Sequence, residues 1–153
     1  MNVRRADDRI HSLEIPLTGF SLLVPSAAIA EVTNPTSFTR VPGAPPWFLG
    51  VMGWRSQAVP VVCFEALLGQ PIPPAAAGTK IVIFYPMADA RDREFYGVVA
   101  LAEPRPQQVV SNLVEPEDPQ RLPDTPYIAA GVKIKGRPSY IPDFDALRRA
   151  FFP

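Results

Sequence analysis

The 153-residue sequence is poor in the side chains that most often carry chemistry in small proteins. It contains one cysteine, Cys63, and one histidine, His11. A single thiol cannot form an internal disulfide, and it is ordinary in a reducing cytosol. Neither residue has the further cysteines or histidines that a metal site requires. We therefore expect a cytoplasmic protein without an internal disulfide, a metal or a cofactor.

The sequence also lacks an excess of charge of one sign and any long apolar run. Its 15 basic residues balance 15 acidic residues, and the lysines and arginines are scattered. A nucleic-acid surface normally shows a basic stripe, so we expect no nucleic-acid partner. No run approaches the ~20 apolar residues of a membrane span, so we expect no direct membrane insertion. Residues 1–9 have no apolar signal-peptide core, and we expect them to form a flexible N-terminus.

Motifs that indicate catalysis are missing as well. The chain has no phosphate-binding Walker loop, no dinucleotide-binding glycine motif after a strand and no serine nucleophile elbow. Acidic residues alternate with arginines between Asp89 and Glu94. This pattern is typical of a polar loop between two strands and does not indicate a catalytic carboxylate pair. We therefore expect a protein that is not an enzyme.

Proline is abundant, with 20 residues that fall mainly into a few clusters. Proline at this density disfavours long helices and central strands of a sheet. The clusters are separated by runs rich in Val, Ile, Phe and Tyr, which predict short strands. Four such strands are predicted at residues 12–17, 20–24, 80–85 and 95–102.

Helices are predicted to be short. Ser26 can cap one that continues to Val32, where an Asn-Pro pair follows and ends it. Asp143 can cap a second, C-terminal helix with an apolar stripe that includes Phe144 and Phe151. The sequence therefore predicts a mainly β protein that ends in a helix.

Two segments of the chain look like copies of one another. Gly50-Val51 and Gly131-Val132 are 81 positions apart, and Phe64 and Phe144 are 80 apart. Each copy predicts a strand, a tight turn that begins with a basic residue, a second strand and a short helix. A repeat of this length is typical of duplicated subdomains and too long for a solenoid. Short strands at this spacing favour two small barrels.

The segment from Arg40 to Gly69 resembles the signature of CheW-like domains. That signature contains a proline-rich loop, the run Gly-Val-x-Asn-Leu-Arg-Gly, then Pro-Val-Val-Asp-Leu and a leucine pair before a glycine. This chain has Gly-Val-Met-Gly-Trp-Arg-Ser at residues 50–56 and Pro-Val-Val-Cys-Phe at residues 60–64. It departs from the signature at the turn glycine, where it has Ser56, and at the aspartate, where it has Cys63.

The resemblance implies a single domain over residues 10–153, built from two SH3-like β-barrel subdomains around a shared apolar core. It implies an adaptor that binds a CheA-type histidine kinase and the cytoplasmic tip of a methyl-accepting chemoreceptor. The divergent turn and the proline-rich frame resemble the ChpC-like adaptors of type IV pilus systems, which control twitching motility. An adaptor that serves flagellar chemotaxis is the immediate alternative.

The resemblance also implies which residues bind the partners. By position in the motif and its flanks, the candidate partner-binding residues are Val32, Val41, Leu49, Gly50, Met52, Trp54 and Arg55.

Three of these candidates have ordinary structural interpretations. Arg55 can present a forked cation to a partner, or it can be a solvated residue beside a hairpin turn, as Lys135 is in the second copy. Gly50 can permit close approach of a partner or of the backbone, or it can form a β-bulge that curves the barrel. Trp54 can anchor an interface or pack in the core.

The departures from the signature predict local costs. Ser56 must adopt a left-handed conformation or belong to a different turn. Cys63 occupies the position of a helix N-cap without a good capping side chain, which costs about 1 kcal/mol. Asp143 occupies that position in the second copy.

Two other classes of function remain as alternatives. A small-molecule-binding or enzymatic barrel would have a concave site with convergent polar groups. A reader of proline-rich peptides would have an aromatic groove in which Trp47, Trp54 and Tyr85 line one face.

Overall fold

The computed structural model describes residues 9–87, 93–110 and 115–153. The flexible N-terminus predicted for residues 1–9 lies outside the described residues, except for the backbone of Arg9. The polar loop predicted between Asp89 and Glu94 also lies largely outside them.

The described part of the chain contains eleven strands, two α-helices and two 3₁₀ turns. In chain order the strands are β1 (Arg9–Pro16), β2 (Ser21–Pro25), β3 (Ile29–Thr33), β4 (Phe48–Trp54), β5 (Gln57–Val62), β6 (Lys80–Phe84), β7 (Tyr96–Ala100), β8 (Arg105–Val110), β9 (Glu115–Pro116), β10 (Ile128–Ile134) and β11 (Arg137–Pro142). The helices are α1 (Phe64–Leu67), which follows β5, and α2 (Phe144–Phe151), which follows β11. The four strands predicted outside the repeat correspond to β1, β2, β6 and β7.

The strands form two sheets. One is six-stranded, in the order β8-β1-β2-β11-β10-β9, and the other is five-stranded, in the order β3-β6-β7-β5-β4. Neighbouring strands are antiparallel except for β2 with β11 and β5 with β7, which are parallel. Each of these parallel pairs joins a strand that precedes the hairpin in one copy of the repeat to the hairpin of the other copy. β2 of the first copy pairs with β11 of the second, and β7 of the second copy pairs with β5 of the first. Each subdomain is therefore assembled from both copies.

The two sheets share one apolar core. Its largest cluster contains Ile15 and Val24 from the six-stranded sheet and Val62 and Val82 from the five-stranded sheet, all fully buried. Phe151 of α2 belongs to the same cluster. Burying each aliphatic or aromatic side chain of this kind contributes about 1.5–3 kcal/mol. The expected fold class, mainly β with two SH3-like subdomains on a shared apolar core and a C-terminal helix, is confirmed.

The prediction of a helix from Ser26 to Val32 is wrong. A single 3₁₀ turn occupies Ser26–Ala28, without a side-chain cap, and β3 follows at once. β3 pairs with β6, with Val32 opposite Val82. Pairing with β6 along one edge of this segment outweighs the local signal of a capping serine.

The two α-helices begin as the sequence predicted. Asp143 Oδ1 accepts a hydrogen bond from the backbone N–H of Ala146 at 3.0 Å, which caps α2. Cys63 stands at the corresponding position before α1 and makes no capping hydrogen bond through its side chain. α1 is only one turn long, whereas α2 has eight residues.

Candidate protein-binding surface at the hairpin of β4 and β5

The hairpin of β4 and β5 places Arg55 at the tip of the five-stranded sheet. Trp54 pairs with Gln57, so Arg55 and Ser56 form a two-residue turn. Both have positive φ angles, 45° and 61°. Paired left-handed residues define a type I′ turn, which matches the twist of the strands. Ser56 thus adopts the left-handed conformation, at a cost of about 1–2 kcal/mol relative to glycine.

Glu31 of β3 holds this turn in place. Its Oε2 accepts a hydrogen bond from Trp54 Nε1 at 2.8 Å, and its Oε1 lies 3.5 Å from Arg55 Nη2. The guanidinium carbon of Arg55 lies 4.5 Å from the centre of the Trp54 ring. A carboxylate that accepts from two donors and a cation stacked on an aromatic ring together restrict the Arg55 side chain.

The contact with Glu31 also shows that the five-stranded sheet curls into a barrel. β3 and β4 are the two outermost strands in the order of that sheet. A flat sheet would hold them about four strand spacings apart, near 19 Å. Here the side chains of Glu31 in β3 and of Trp54 at the end of β4 are hydrogen-bonded to one another. Arg55 therefore lies where the two edges of the barrel meet.

Arg55 remains available to a partner despite these contacts. Its side chain is 59% exposed and that of Glu31 is 39% exposed. An ion pair as exposed as this contributes only about 0.2–1 kcal/mol to stability. The pair orients a cation at the surface and adds little to the fold.

Glu31 was not among the residues predicted from the sequence. The incorrect helix over 26–32 concealed it, because a helical period does not place Glu31 toward Trp54. Reading the segment as a strand would have shown a polar Glu31 beside an apolar Val32, on opposite faces of a sheet. That alternation was the available signal.

Gly50 lies under a neighbouring segment of the same chain. Its φ is 150°, and a Cβ atom there would lie 2.8 Å from the carbonyl oxygen of Thr39. Thr39 pairs with Val51 through two backbone hydrogen bonds of 2.8 and 2.9 Å. The register of β4 with β5 also shifts between Phe48 and Gly50. Both structural interpretations of Gly50, a close backbone approach and a bulge, are therefore present, and the approaching backbone belongs to this chain.

The remaining candidates differ in how much of them reaches the surface. Met52 is 2% exposed and Trp54 is 8% exposed, and both belong to a second apolar cluster inside the five-stranded sheet. Their side chains support the surface from below and cannot themselves form a contact area. Val32 and Leu49 are half-buried. Val41 is 45% exposed.

The aromatic residues do not form the groove that a proline-peptide reader would need. Trp54 and Tyr85 both pack on Phe95, with ring centres 5.1 and 5.9 Å away. Trp47 instead packs on Phe151 of α2, at 5.4 Å. The three rings proposed for one face are thus divided between two locations.

Cys63, the one cysteine of the chain, is buried. Burial raises the pKa of the Cys63 thiol, and the nearby Glu65 carboxylate raises it further. A thiol with a raised pKa stays protonated and is a poor nucleophile. Within the described ranges, no group of three or more His, Cys, Asp or Glu side chains could hold a metal ion. Those ranges also contain no helix with the length and apolar character needed to cross a membrane.

A pair of SH3-like barrels with a cation held at an exposed hairpin describes a class of fold, which by itself does not fix the function. Comparison with known families identifies the class further. Residues 13–151 match the family described as CheW-like domain. The chain therefore belongs to the CheW-like domain family, whose members serve as scaffolds and adaptors in chemosensory signalling and are not enzymes.

Solved structures agree with this assignment at the level of the fold. Fifteen solved chains match significantly. One is the scaffolding protein TtCheW from Thermoanaerobacter tengcongensis, with a TM-score of 0.74 and 18% sequence identity. The match covers 88% of this chain and 84% of that chain. No curated protein matches the sequence significantly.

Proposed function

We propose that this protein is a cytoplasmic adaptor that binds a CheA-type histidine kinase and the cytoplasmic tip of a methyl-accepting chemoreceptor. The observation that carries the proposal is the family match over residues 13–151, nearly the whole chain. A domain of this family acts by holding other proteins in position. We extend the domain to residues 10–153, since β1 begins at Arg9 and α2 ends at Phe151.

The geometry of the hairpin supports Arg55 as the main partner contact. A guanidinium that is exposed but restrained loses little conformational freedom on binding, so more of its interaction energy is available for affinity. A partner carboxylate or carbonyl oxygen is the chemistry that a forked cation of this kind recognises. Glu31 competes for that cation, which favours partners that can offer a second acceptor.

We divide the seven candidate residues into contacts and supports. Val41 and Arg55 are exposed, and Val32 and Leu49 are half-buried, so these four can meet a partner directly. Gly50, Met52 and Trp54 are buried and act by shaping β4 and the turn. Contacts of modest area from small barrels are typically weak one at a time, and they gain strength when receptors and kinases are arrayed.

We further propose that the pathway is that of a type IV pilus, in which this adaptor would influence twitching motility. Support comes from the turn at residues 53–56, which departs from the family pattern, and from the 20 prolines in the chain. An adaptor with an altered contact turn is suited to a receptor and kinase different from those of flagellar chemotaxis. The flagellar pathway is the second candidate.

The test is affinity capture of the full-length protein from its native cell, followed by mass spectrometry. We expect a CheA-type kinase and a chemoreceptor among the captured proteins, and pilus-associated proteins with them. Flagellar chemotaxis proteins in their place would overturn the pilus assignment alone. Capture of neither kinase nor receptor, from cells shown to express both, would overturn the adaptor function.

A further inference from the structure

A cavity of about 590 Å³ lies beside the five-stranded sheet. Leu49, Ile81 and Val99 line it from the sheet, and the proline-rich segment 72–76 lines it from the other side. Small-molecule sites in proteins typically have volumes of about 300–1,000 Å³ and mostly apolar walls. This volume is also far larger than that of one water molecule, about 30 Å³. The cavity has the size and the character of a site for an organic molecule.

One buried carboxylate faces this apolar cavity. Glu65 of α1 lines it and is only 2% exposed. Glu65 Oε2 accepts hydrogen bonds from Thr18, from the backbone N–H at 3.4 Å and from Oγ1 at 3.1 Å. Glu65 Oε1 has a different partner, the thiol of Cys63, whose Sγ lies 3.9 Å away.

The thiol leaves Glu65 Oε1 with unused capacity to accept hydrogen bonds. A carboxylate has about four acceptor positions, and a thiol is a weak donor. A buried charged group that is incompletely hydrogen-bonded costs free energy. A donor that entered the cavity would therefore recover energy at Oε1 that neither Thr18 nor Cys63 supplies.

We propose that this cavity binds a small organic cation, an apolar molecule that carries a protonated amine. Its ammonium group would donate to Glu65 Oε1, and its hydrocarbon part would fill the space between the sheet and segment 72–76. A charge-assisted hydrogen bond is stronger than a neutral one. Burial of the hydrocarbon adds about 25 cal/mol for each Å² removed from water.

The same geometry disfavours other ligand classes. An anion would be repelled by Glu65, and a neutral alcohol offers only a weaker donor. Arg40 is the other charged residue among the described residues that line the cavity, and it is exposed. Water and salt screen an exposed charge, so its repulsion of a cation is smaller than the attraction of the buried carboxylate. The proposal does not depend on the adaptor function.

The test compares three probes of the same shape by two-dimensional NMR of the ¹⁵N-labelled full chain. The probes are 4-phenylbutylamine, 4-phenylbutan-1-ol and 4-phenylbutyrate, each titrated at one pH and one ionic strength. We expect the amine to bind at least about tenfold more tightly than the alcohol, which corresponds to 1.4 kcal/mol, and the carboxylate to bind weakest. The shifted amides should include those of Leu49, Glu65 and Val99.

Two variants assign the preference to the buried carboxylate. Glu65→Gln keeps the size of the side chain and an acceptor for Thr18, and it should abolish the preference for the amine over the alcohol. Glu103→Gln is the matched control: its side chain is 68% exposed and it does not line the cavity, so the preference should persist. Dispersed amide spectra would verify that both variants fold.

Each of the following outcomes would overturn the proposal. Equal affinities for the three probes would show an apolar cavity without cation selectivity. Shifts confined to residues outside the lining would show binding elsewhere. An unchanged preference in Glu65→Gln would remove Glu65 from the site. If Glu65→Gln does not fold, Ala75→Trp tests the same cavity by filling it, and undiminished binding of the amine there would equally overturn the proposal.

Discussion

The hairpin of β4 and β5 and the hairpin of β10 and β11 share one plan but differ in their turn residues and in the capping of the helix that follows. Each has a basic residue followed by a second left-handed residue in its turn, Arg55-Ser56 in one and Lys135-Gly136 in the other. Each leads into a short helix. In the second hairpin the left-handed turn position is a glycine, Gly136, and the helix that follows is capped by Asp143. The first has Ser56 and Cys63 instead.

The difference shows that the hairpin of β4 and β5 is locally less stable than the hairpin of β10 and β11. The first hairpin retains a strained turn and an uncapped helix, yet it holds Arg55 between Trp54 and Glu31. The side chain of Lys135 forms no ion pair within the described residues. Strain that persists where the surroundings define a single geometry is typical of binding sites. The strained hairpin is therefore the better candidate for partner binding.

The largest expected difference between the two hairpins concerns their equivalent glycines. Gly50→Ala should lower the free energy of unfolding by about 2–4 kcal/mol, because the new Cβ meets the backbone of Thr39 at a φ that disfavours L residues. Gly131→Ala should cost less. The atom closest to the new Cβ is Leu122 Cδ2 at 2.5 Å, the end of a flexible side chain that can move. Urea denaturation of both variants measures the two values. Equal losses would contradict the distinction.

The next effect concerns binding. Arg55→Glu should weaken the complex with the captured kinase or receptor by at least about tenfold, because a carboxylate replaces the cation and also faces Glu31. Lys135→Glu makes the same charge change at the same left-handed turn position, and it should leave binding unchanged. Calorimetric titration gives both affinities, with thermal melting as a check on folding. Normal binding by a folded Arg55→Glu would exclude Arg55 from the interface.

Exchanging the turn residues should exchange a smaller amount of stability. Ser56→Gly should raise the free energy of unfolding by about 1 kcal/mol, because glycine adopts a φ of 61° without strain. Gly136→Ser should lower it by a similar amount, at a φ of 79°. Chemical denaturation of the pair measures both changes. If neither variant differs from the wild type, the turns are not strained.

The smallest expected effect is a loss of folding stability at alkaline pH, which is caused by Cys63 at the start of α1. Burial raises the pKa of Cys63 above its ordinary value of 9.0, so from that pH upward the unfolded chain loses the proton that the folded chain keeps. Stability due to the thiol is therefore complete below pH 9.0 and falls as the pH rises toward the folded pKa. Between pH 9 and 10, Cys63→Ser should therefore lose less free energy of unfolding than the wild type does. We expect the difference to be less than about 1 kcal/mol.

Tyr96 provides the reference for that measurement. Burial raises its pKa as well, so its own contribution begins to fall only above its ordinary value of 10.0. Denaturation curves at pH 8, 9 and 10 separate the two groups. An identical pH profile for wild type and Cys63→Ser would show that the thiol does not titrate differently in the two states.

Local chemistry was readable from the sequence. Eight of the eleven strands, the capping Asp143 and the uncapped Cys63 follow from residue type and spacing, whereas β3, β8 and β9 were not predicted and the left-handed Ser56 was one of two alternatives. The family signature around Arg55 was equally local. The helix predicted from Ser26 failed because β3 gains its stability from pairing with β6, which lies some fifty residues further along the chain. The same error hid Glu31.

The sequence by itself determined a mainly β chain with an internal repeat, the two hairpins with their turn and cap chemistry, and membership of a family through residues 40–69. Only the tertiary structure decided that each barrel combines strands from both copies, that Gly50 lies under Thr39, and that Glu31 holds Arg55 and Trp54. It also decided that Glu65 faces a cavity. The physical reason is range: turns and caps depend on neighbours in the chain, whereas parallel pairing, burial and buried charge depend on residues that only folding brings together.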